Sequence, residues 1–369
     1  MKKRTIKNRI LRPGVAKKQK NDNMPILKVK KEGILLEKRD FEFENAGVLN
    51  PAIIKDGDSV HIFYRAVSTG NHSTLGYARL DGPLYVAERW DIPFMVPELD
   101  YETQGVEDAR IVKIDDLFYM SYTGYDGINA RGALATSKDL KKFKKNGLLV
   151  PPITYSKFVY WAEKNGKVNE NYYRNHKFYY QEADPDKKMM LWDKNVVFFP
   201  RRIDGKLVFL HRIRPGIQLA SVTNLDELTK EYWKAYFPDF HQHIVMDPLY
   251  KHESDYIGSG CPPIETAAGW VLIYHGVEST ARGLVYSACA ALLDLKNPAI
   301  ELARLPYPLF SPEYMWERQG EVNNVVFPTG TALFGDRLYI YYGAADERIG
   351  CASVNLTELT QELTNNIKR

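Results

Sequence analysis

One pattern recurs five times along this 369-residue chain and restricts its fold more than any other feature. Each copy has an apolar strand, a tight polar turn, a second apolar strand, and a small-residue strand that runs into an acidic turn. The second strands are Ser59–Arg65, Leu117–Thr123, Leu207–Arg212, Trp270–His275 and Leu338–Tyr342. The turns before them are Asp56-Gly57-Asp58, Asp115-Asp116, Asp204-Gly205, Ala268-Gly269 and Gly335-Asp336. Turn residues between β-branched and aromatic runs mark hairpins. A hairpin unit repeated about every 60–70 residues marks the blades of a propeller. The expected fold is therefore all-β, a five-bladed β-propeller. Its blades are expected at about 45–100, 101–150, 190–250, 255–310 and 320–369, within one catalytic domain over 26–369.

A propeller brings the same position of every blade to one axis. The second strands end in Arg65, Thr123, Arg212, His275 and Tyr342, so these five are expected to converge on one funnel. Counting back eight residues from Asp58 and Asp116 lands on Asn50 and Asp108, which should look into that funnel from neighbouring inner strands. An axial Asp near arginines is a candidate general acid. Glu107, Glu265, Glu321 and Asp346 are candidates for a second catalytic carboxylate, and a pair of carboxylates would suit hydrolysis. Arg65, Lys194, Arg212, Arg214 and His275 form a basic set that instead suits an anionic nucleophile such as phosphate.

The formal charge of +4 is concentrated in a basic arm, residues 1–25, so nucleic acid is not an expected partner. No apolar run of signal-peptide length follows the arm, and none approaches the 18 residues of a membrane span, so a cytoplasmic protein without membrane contact is expected. Cys261, Cys289 and Cys351 are odd in number and widely spaced, which argues against a disulfide framework, and the matched strand positions of Cys289 and Cys351 suit core packing. His241 and His243 lack the further ligands of a zinc site. Lys138 to Lys145 reads as a solvated charged turn. The turn-to-turn spacing is 58, 64 and 66 residues for three intervals but 89 between Asp116 and Gly205. The excess falls in an insertion at about 157–190, whose Tyr160, Trp161, Tyr172, Tyr173, Tyr179 and Tyr180 suit either sugar stacking or burial against a second protomer. The arm and the insertion together leave room for a homo-oligomer.

Several stretches resemble glycoside hydrolase family 130, the β-mannoside phosphorylases. They are Gly105-Val-Glu-Asp108-Ala-Arg-Ile, Lys194-Asn-Val-Val-Phe-Phe-Pro, Leu210-His-Arg212, Pro262-Pro-Ile-Glu, Ile273-Tyr-His275-Gly, Ala291-Leu-Leu-Asp-Leu295, Asn324-Val-Val-Phe-Pro-Thr-Gly330 and Tyr341-Tyr-Gly-Ala-Ala-Asp346. The resemblance runs from about Asn50 to Leu359 and implies a five-bladed propeller. It further implies that Asp108 is the sole general acid, its proton passing through the mannosyl 3-hydroxyl. Inorganic phosphate would be the co-substrate, with no other cofactor and no metal, attacking with inversion to give α-mannose 1-phosphate. By the same resemblance Lys194, Arg212, His275 and Tyr286 hold phosphate, and Asn50, Arg65 and Asp346 hold the mannosyl ring. Glu107, beside Asp108, is counted with the substrate-binding set. The chain departs from the family at Asn195, where Lys-Asp is common, and at His211-Arg-Ile-Arg-Pro215, where His-Arg-Pro is common.

The leading expectation is a phosphorylase of short β-mannosides. The alternative is a β-mannosidase-type hydrolase of the same fold, with Glu107, Glu265 or Glu321 as base. A third reading is a propeller that binds carbohydrate without turning it over.

Overall fold

The structure is a computed structural model that describes residues 27–173 and 190–367. The basic arm, and Tyr179 and Tyr180 of the insertion, lie outside these residues. A lone strand, β1 (Lys30–Leu36), precedes five antiparallel units. The first holds β2 (Gly47–Asp56), β3 (Ser59–Ser68), β4 (His72–Asp81) and β5 (Tyr85–Arg89). The second holds β6 (Gly105–Ile114), β7 (Leu117–Tyr125), β8 (Ala130–Ser137) and β9 (Lys144–Leu148). The third holds β10 (Lys194–Phe198), β11 (Leu207–Arg212), β12 (Ile217–Val222) and β13 (Ile244–Met246). The fourth holds β14 (Tyr256–Ser259), β15 (Ile264–Thr266), β16 (Gly269–Thr280), β17 (Gly283–Leu293) and β18 (Glu301–Arg304). The fifth holds β19 (Val326–Phe334), β20 (Arg337–Ala344) and β21 (Arg348–Asn355).

The hairpins form where the sequence places left-handed turn residues. Gly57, Asp115 and Gly335 have φ of 59°, 55° and 57°, the hand that matches the twist of the flanking strands. The first two units share a single parallel bridge, Ser73 to Gly105. The fifth unit takes its outer strand from the other end of the chain, because β1 pairs antiparallel with β21. The sequence pattern missed this strand, since one isolated strand carries no repeat. In the fourth unit the inner strand is split. Ile264–Thr266 pairs with only one end of β16, and Tyr256–Ser259 pairs with the other.

The apolar faces of the sheets bury against one another, which is how a sheet excludes water from a strongly apolar face. Five clusters result, and each joins two consecutive units. Val106, Met120 and Ala133 meet Phe63 and Leu75 of the first unit. Val196, Phe198 and Phe209 meet Val112 and Leu134. Trp270 and Leu272 meet Val208 and Leu210. Val326 and Ile340 meet Val271 and Ala290. Tyr341 and Ile349 of the fifth unit meet Val60 and Ile62 of the first, with Leu36 of β1 alongside. The ring of contacts thus returns to its start, in a mostly β architecture consistent with a five-bladed propeller.

Among the described residues, Phe158, Trp161 and Tyr172 of the insertion pack within the chain itself. The helix Tyr155–Ala162 is capped by Thr154, whose side chain accepts from the Lys157 amide. It buries Phe158 against Phe237 and Phe240, and Trp161 stacks on Phe237. Tyr172 is buried and donates to Asp247 Oδ1 at 2.7 Å. Tyr160 stays exposed. All three cysteines are free and buried. Lys145 departs from the expected solvated turn, being enclosed beside Glu102 at 2.6 Å.

Candidate active site

The site begins with a repeated irregularity in the inner strands. The pairing register shifts between Leu49 and Ala52, between Glu107 and Arg110, and between Lys194 and Val197. Within each shift sits one Asx residue in the left-handed region: Asn50, Asp108 and Asn195, with φ of 48°, 49° and 54°. Asn and Asp tolerate this region better than other residues with a β-carbon. A bulge turns a side chain out of the sheet, and here all three line one cavity of about 170 Å³. Arg65, Lys194, Arg212, Arg214, Tyr286 and Asp346 line it too, with Trp192, Tyr256, Val325 and Phe327.

Asp108 is buried and held by several partners. Asn50 Nδ2 donates to its Oδ1 at 2.8 Å. Arg65 Nη1 and Lys194 Nζ stand 3.7 and 4.0 Å from its oxygens. Burial pushes its carboxyl up, but Arg65, Lys194, Arg110 and the Asn50 bond outweigh burial and hold it below the usual carboxylate range. Glu107, one residue earlier, lies 2.9 Å from Arg65 and 3.7 Å from Lys194. Asp346 behaves in the opposite way. Desolvation, with Asp108 and Glu107 nearby, pushes it up to about 6 against the pull of Arg65 and Lys194.

The other side of the cavity is cationic. Arg212 and Arg214 lie over the Tyr256 ring, 5.0 and 3.7 Å from its centre, and the Nε of each finds no partner among the described residues. Burial and the neighbouring Arg214 bring Arg212 down to about 10. His275 lies behind the wall, its ring 4.3 Å from that of Phe327, with neither nitrogen partnered among the described residues. A β-carbon at Gly258 would stand 2.6 Å from His275 Cε1 and 2.9 Å from Arg212 Cδ, so this approach requires glycine. Tyr256 donates to the Tyr286 hydroxyl at 2.9 Å. Arg110 is fully enclosed; it donates to the carbonyls of Asp108 and Gly260, and its Nη2 finds no partner among the described residues.

All nine site residues expected from the sequence are therefore at or just behind one cavity. The expected convergence of second-strand ends holds only in part. Arg65 and Arg212 line the cavity, while Thr123 lies opposite Glu107 in the ladder, outside the lining. Tyr342 points away, into the core, and donates to Glu317 Oε1 at 2.7 Å. The fifth unit is offset by one residue. Gly343 holds the position matching Arg65, and a β-carbon there would overlap Asn50 Oδ1. Glu265 is also absent from the lining; it is half-exposed and paired with Arg201 at 2.7 Å. Glu321 is exposed and outside the lining. Burial and the Arg212, Arg110, Arg214 and Lys194 cations hold His275 well below the usual histidine value, so the free site carries it neutral.

Sequence reasoning counted Arg214 in the basic set, and it lines the cavity, but left Asn195, Trp192 and Tyr256 out. Asn195 holds the same inner-strand place as Asn50 and Asp108 in the structure, but it lies ten residues before Gly205 where the others lie eight before their turns, so the count passes it over. Among the described residues no group of His, Cys, Asp and Glu is arranged to hold a metal ion, and no helix is long and apolar enough to cross a membrane.

A model of glycoside hydrolase family 130, described as beta-1,4-mannooligosaccharide phosphorylase, matches residues 17–365. The chain is 34% identical over 338 residues to a 1,2-beta-oligomannan phosphorylase of Thermoanaerobacter sp. strain X514, covering 88% of this chain and 96% of that protein. It is 28% identical to a beta-1,2-mannobiose phosphorylase of Listeria innocua, covering 92% of this chain and 81% of the relative. A solved structure of a Listeria innocua beta-1,2-mannobiose phosphorylase, in complex with beta-1,2-mannobiose, superposes with a TM-score of 0.68 at 21% identity, over 92% of this chain and 99% of that one. At that identity the likeness speaks for the fold alone. The matched span and the full-length relatives place the chain in glycoside hydrolase family 130.

Proposed function

We propose that this chain is a glycoside phosphorylase, built on a five-bladed propeller, that cleaves short β-mannosides with inorganic phosphate. The observation that carries this reading is the asymmetry of the cavity. One wall holds a single buried Asp within reach of sugar-binding partners. The other holds guanidinium and imidazole nitrogens with no partner among the described residues. Buried cationic donors without acceptors are costly unless a ligand satisfies them. A tetrahedral dianion with four acceptor oxygens suits Lys194, Arg212, Arg214 and Tyr286, with His275 behind them.

In this reading Asn50, Arg65, Glu107 and Asp346 hold the mannosyl ring, and Asp108 supplies the proton. Free Asp108 is held ionised, so its proton has to be taken up as the substrates bind. A dianion beside Lys194 and Arg212 offsets the field that keeps Asp108 ionised and raises its proton affinity. A phosphate oxygen then forms a bond to the anomeric carbon while the glycosidic C–O bond breaks on the opposite face. The leaving oxygen takes the proton from Asp108, by way of the 3-hydroxyl, and the product is α-mannose 1-phosphate. Fixed cations lower the barrier by stabilising the charge in flight. The relatives aligned over about nine-tenths of this chain are named for β-1,2 linkages, and those named for β-1,4 linkages or mannosyl-glucose align over about half of it. β-1,2-mannobiose and its oligomers are therefore the favoured substrates.

The test is one incubation run with and without phosphate on β-1,2- and β-1,4-mannobiose. Mannose 1-phosphate formed only with phosphate is the expected result. Free mannose in a yield indifferent to phosphate would establish the hydrolase, and binding without turnover the carbohydrate-binding reading. Arg212→Ala should weaken apparent phosphate affinity by roughly 10–150-fold, the value of a lost charge-assisted clamp. The mannoside constant should change far less.

A further inference from the structure

In four of the five units the residue just before the axial position is a buried tyrosine that donates to a buried glutamate. The pairs are Tyr64–Glu44, Tyr122–Glu102, Tyr274–Glu253 and Tyr342–Glu317. The third unit breaks the pattern. His211 stands in the tyrosine's place and Asp193 in the glutamate's, with His211 Nδ1 2.9 Å from Asp193 Oδ2. The exchange changes what the carboxylate can reach. Asp193 immediately precedes Lys194, and its Oδ1 accepts from the backbone amide of Arg212 at 3.2 Å. One carboxylate is thus joined to both chain segments that present the cationic wall. The far side of His211 is fixed as well, with Nε2 2.8 Å from the Tyr236 hydroxyl, which also reaches the Leu219 carbonyl at 3.1 Å. His211 is fully buried and Asp193 nearly so.

We propose that Asp193, braced by His211 and Tyr236, is a positioning residue that sets Lys194 and Arg212 at the spacing a phosphate dianion requires. This rests on the phosphorylase reading above. Lys194 and Arg212 are partners in the β10–β11 ladder, but the register shift between Lys194 and Val197 separates that pair from the regular ladder, so their spacing rests on one isolated rung. The Asp193 carboxylate ties the residue before Lys194 to the Arg212 amide and so braces that rung from its open side. Its negative charge, near the anion, opposes binding through space, so its contribution has to come from geometry.

Asp193→Ala, assayed with phosphate and mannoside varied in turn, should raise the phosphate KM about tenfold, the value of a lost bond to a charged acceptor. The mannoside KM should stay within about twofold. Asp193→Asn keeps an acceptor for the Arg212 amide and a partner for His211, so it should restore the phosphate KM to within about threefold. Equal rises in both constants for Asp193→Ala, or an unchanged phosphate KM, would overturn the proposal. Should the alanine variant not fold, Tyr236→Phe decides: a phosphate-specific loss of about threefold supports the bracket, and an unchanged phosphate KM refutes it. A wild-type enzyme indifferent to phosphate would instead sink the phosphorylase reading itself.

Discussion

Asp108 occupies a left-handed backbone conformation that costs of order 1–3 kcal/mol and persists only where its surroundings impose it. Arg110 helps to impose it by donating to the Asp108 carbonyl at 2.8 Å and tying it to the fourth unit at Gly260. Asparagine tolerates the same region, so Asp108→Asn should keep the fold while removing the proton donor. Turnover should fall at least about a hundredfold with little thermal shift, since general acid catalysis contributes roughly 10²–10⁴-fold. Near-normal rates would remove Asp108 from the mechanism. Asp346 gives a second prediction. Its carboxyl is raised to about 6 in the folded state, against about 3.9 for a free Asp. Its contribution to stability is full below the unfolded value and is lost as pH rises through about 6. The thermal midpoint of the free protein should therefore fall between pH 4.5 and 7 by more in the wild type than in Asp346→Asn. If the ionised form accepts sugar hydroxyls, kcat/KM for mannoside at saturating phosphate should rise across the same interval, and Asp346→Asn should lack that limb. The same limb in the variant would assign it to another group. Asn50 and Asp108 were legible in the sequence because both sit at one distance from a turn. Tyr256 was not, since it lies on the half of a split inner strand that precedes the repeat.

The four tyrosine–glutamate pairs form a unit of construction above the single residue. Each glutamate also meets a cation from the outermost strand of its own sheet: Arg89 with Glu44 at 2.8 Å, Lys145 with Glu102 at 2.6 Å, Arg304 with Glu253 at 3.0 Å, and Lys31 with Glu317. Three of the glutamates fall five residues after a proline, at Pro97–Glu102, Pro248–Glu253 and Pro312–Glu317. In each of these the second carboxylate oxygen accepts from backbone amides that open the same turn. The sequence carries this Pro-x4-Glu spacing openly, but it lies between the strands, where the strand pattern does not look. The carboxylates thus lock the second strand, the turn and the outer strand of a sheet together. Removing one partner of a buried pair leaves an uncompensated charge and costs about 3–5 kcal/mol. Lys31→Met should destabilise by about that much in chemical denaturation. Lys30→Met, one residue away with its side chain 70% exposed, should stay within about 0.5 kcal/mol. Equal effects would show that the buried pair contributes nothing special.

For the whole molecule, all inner strands contribute to one axial region, so an anion bound there touches elements from several sheets at once. A ligand that binds only the folded state stabilises it by about 2.7 kcal/mol at a hundred times its dissociation constant. For a chain of this size that corresponds to a rise of roughly 5 °C in thermal midpoint. Phosphate should produce such a rise and chloride at matched ionic strength should not, with the phosphate effect reduced in Arg212→Ala. Equal shifts with both salts would point to general screening. The five-unit architecture was readable because hairpins repeat locally; the outer strand of the fifth unit was not, because β1 finds its partner only in three dimensions. That pairing has a further consequence in time. Lys30 pairs with Ser353, 323 residues later. At translation rates of about 5–20 residues per second, β1 waits roughly 16–65 s for β21 to be made. Through that interval the nascent chain holds an unpaired strand edge at one end and an unfinished sheet at the other, the condition under which edges pair with the wrong neighbour. The exposed, charged Lys30 and the polar Glu32 on that strand are the kind of residue that discourages such mispairing while the ribosome finishes its work.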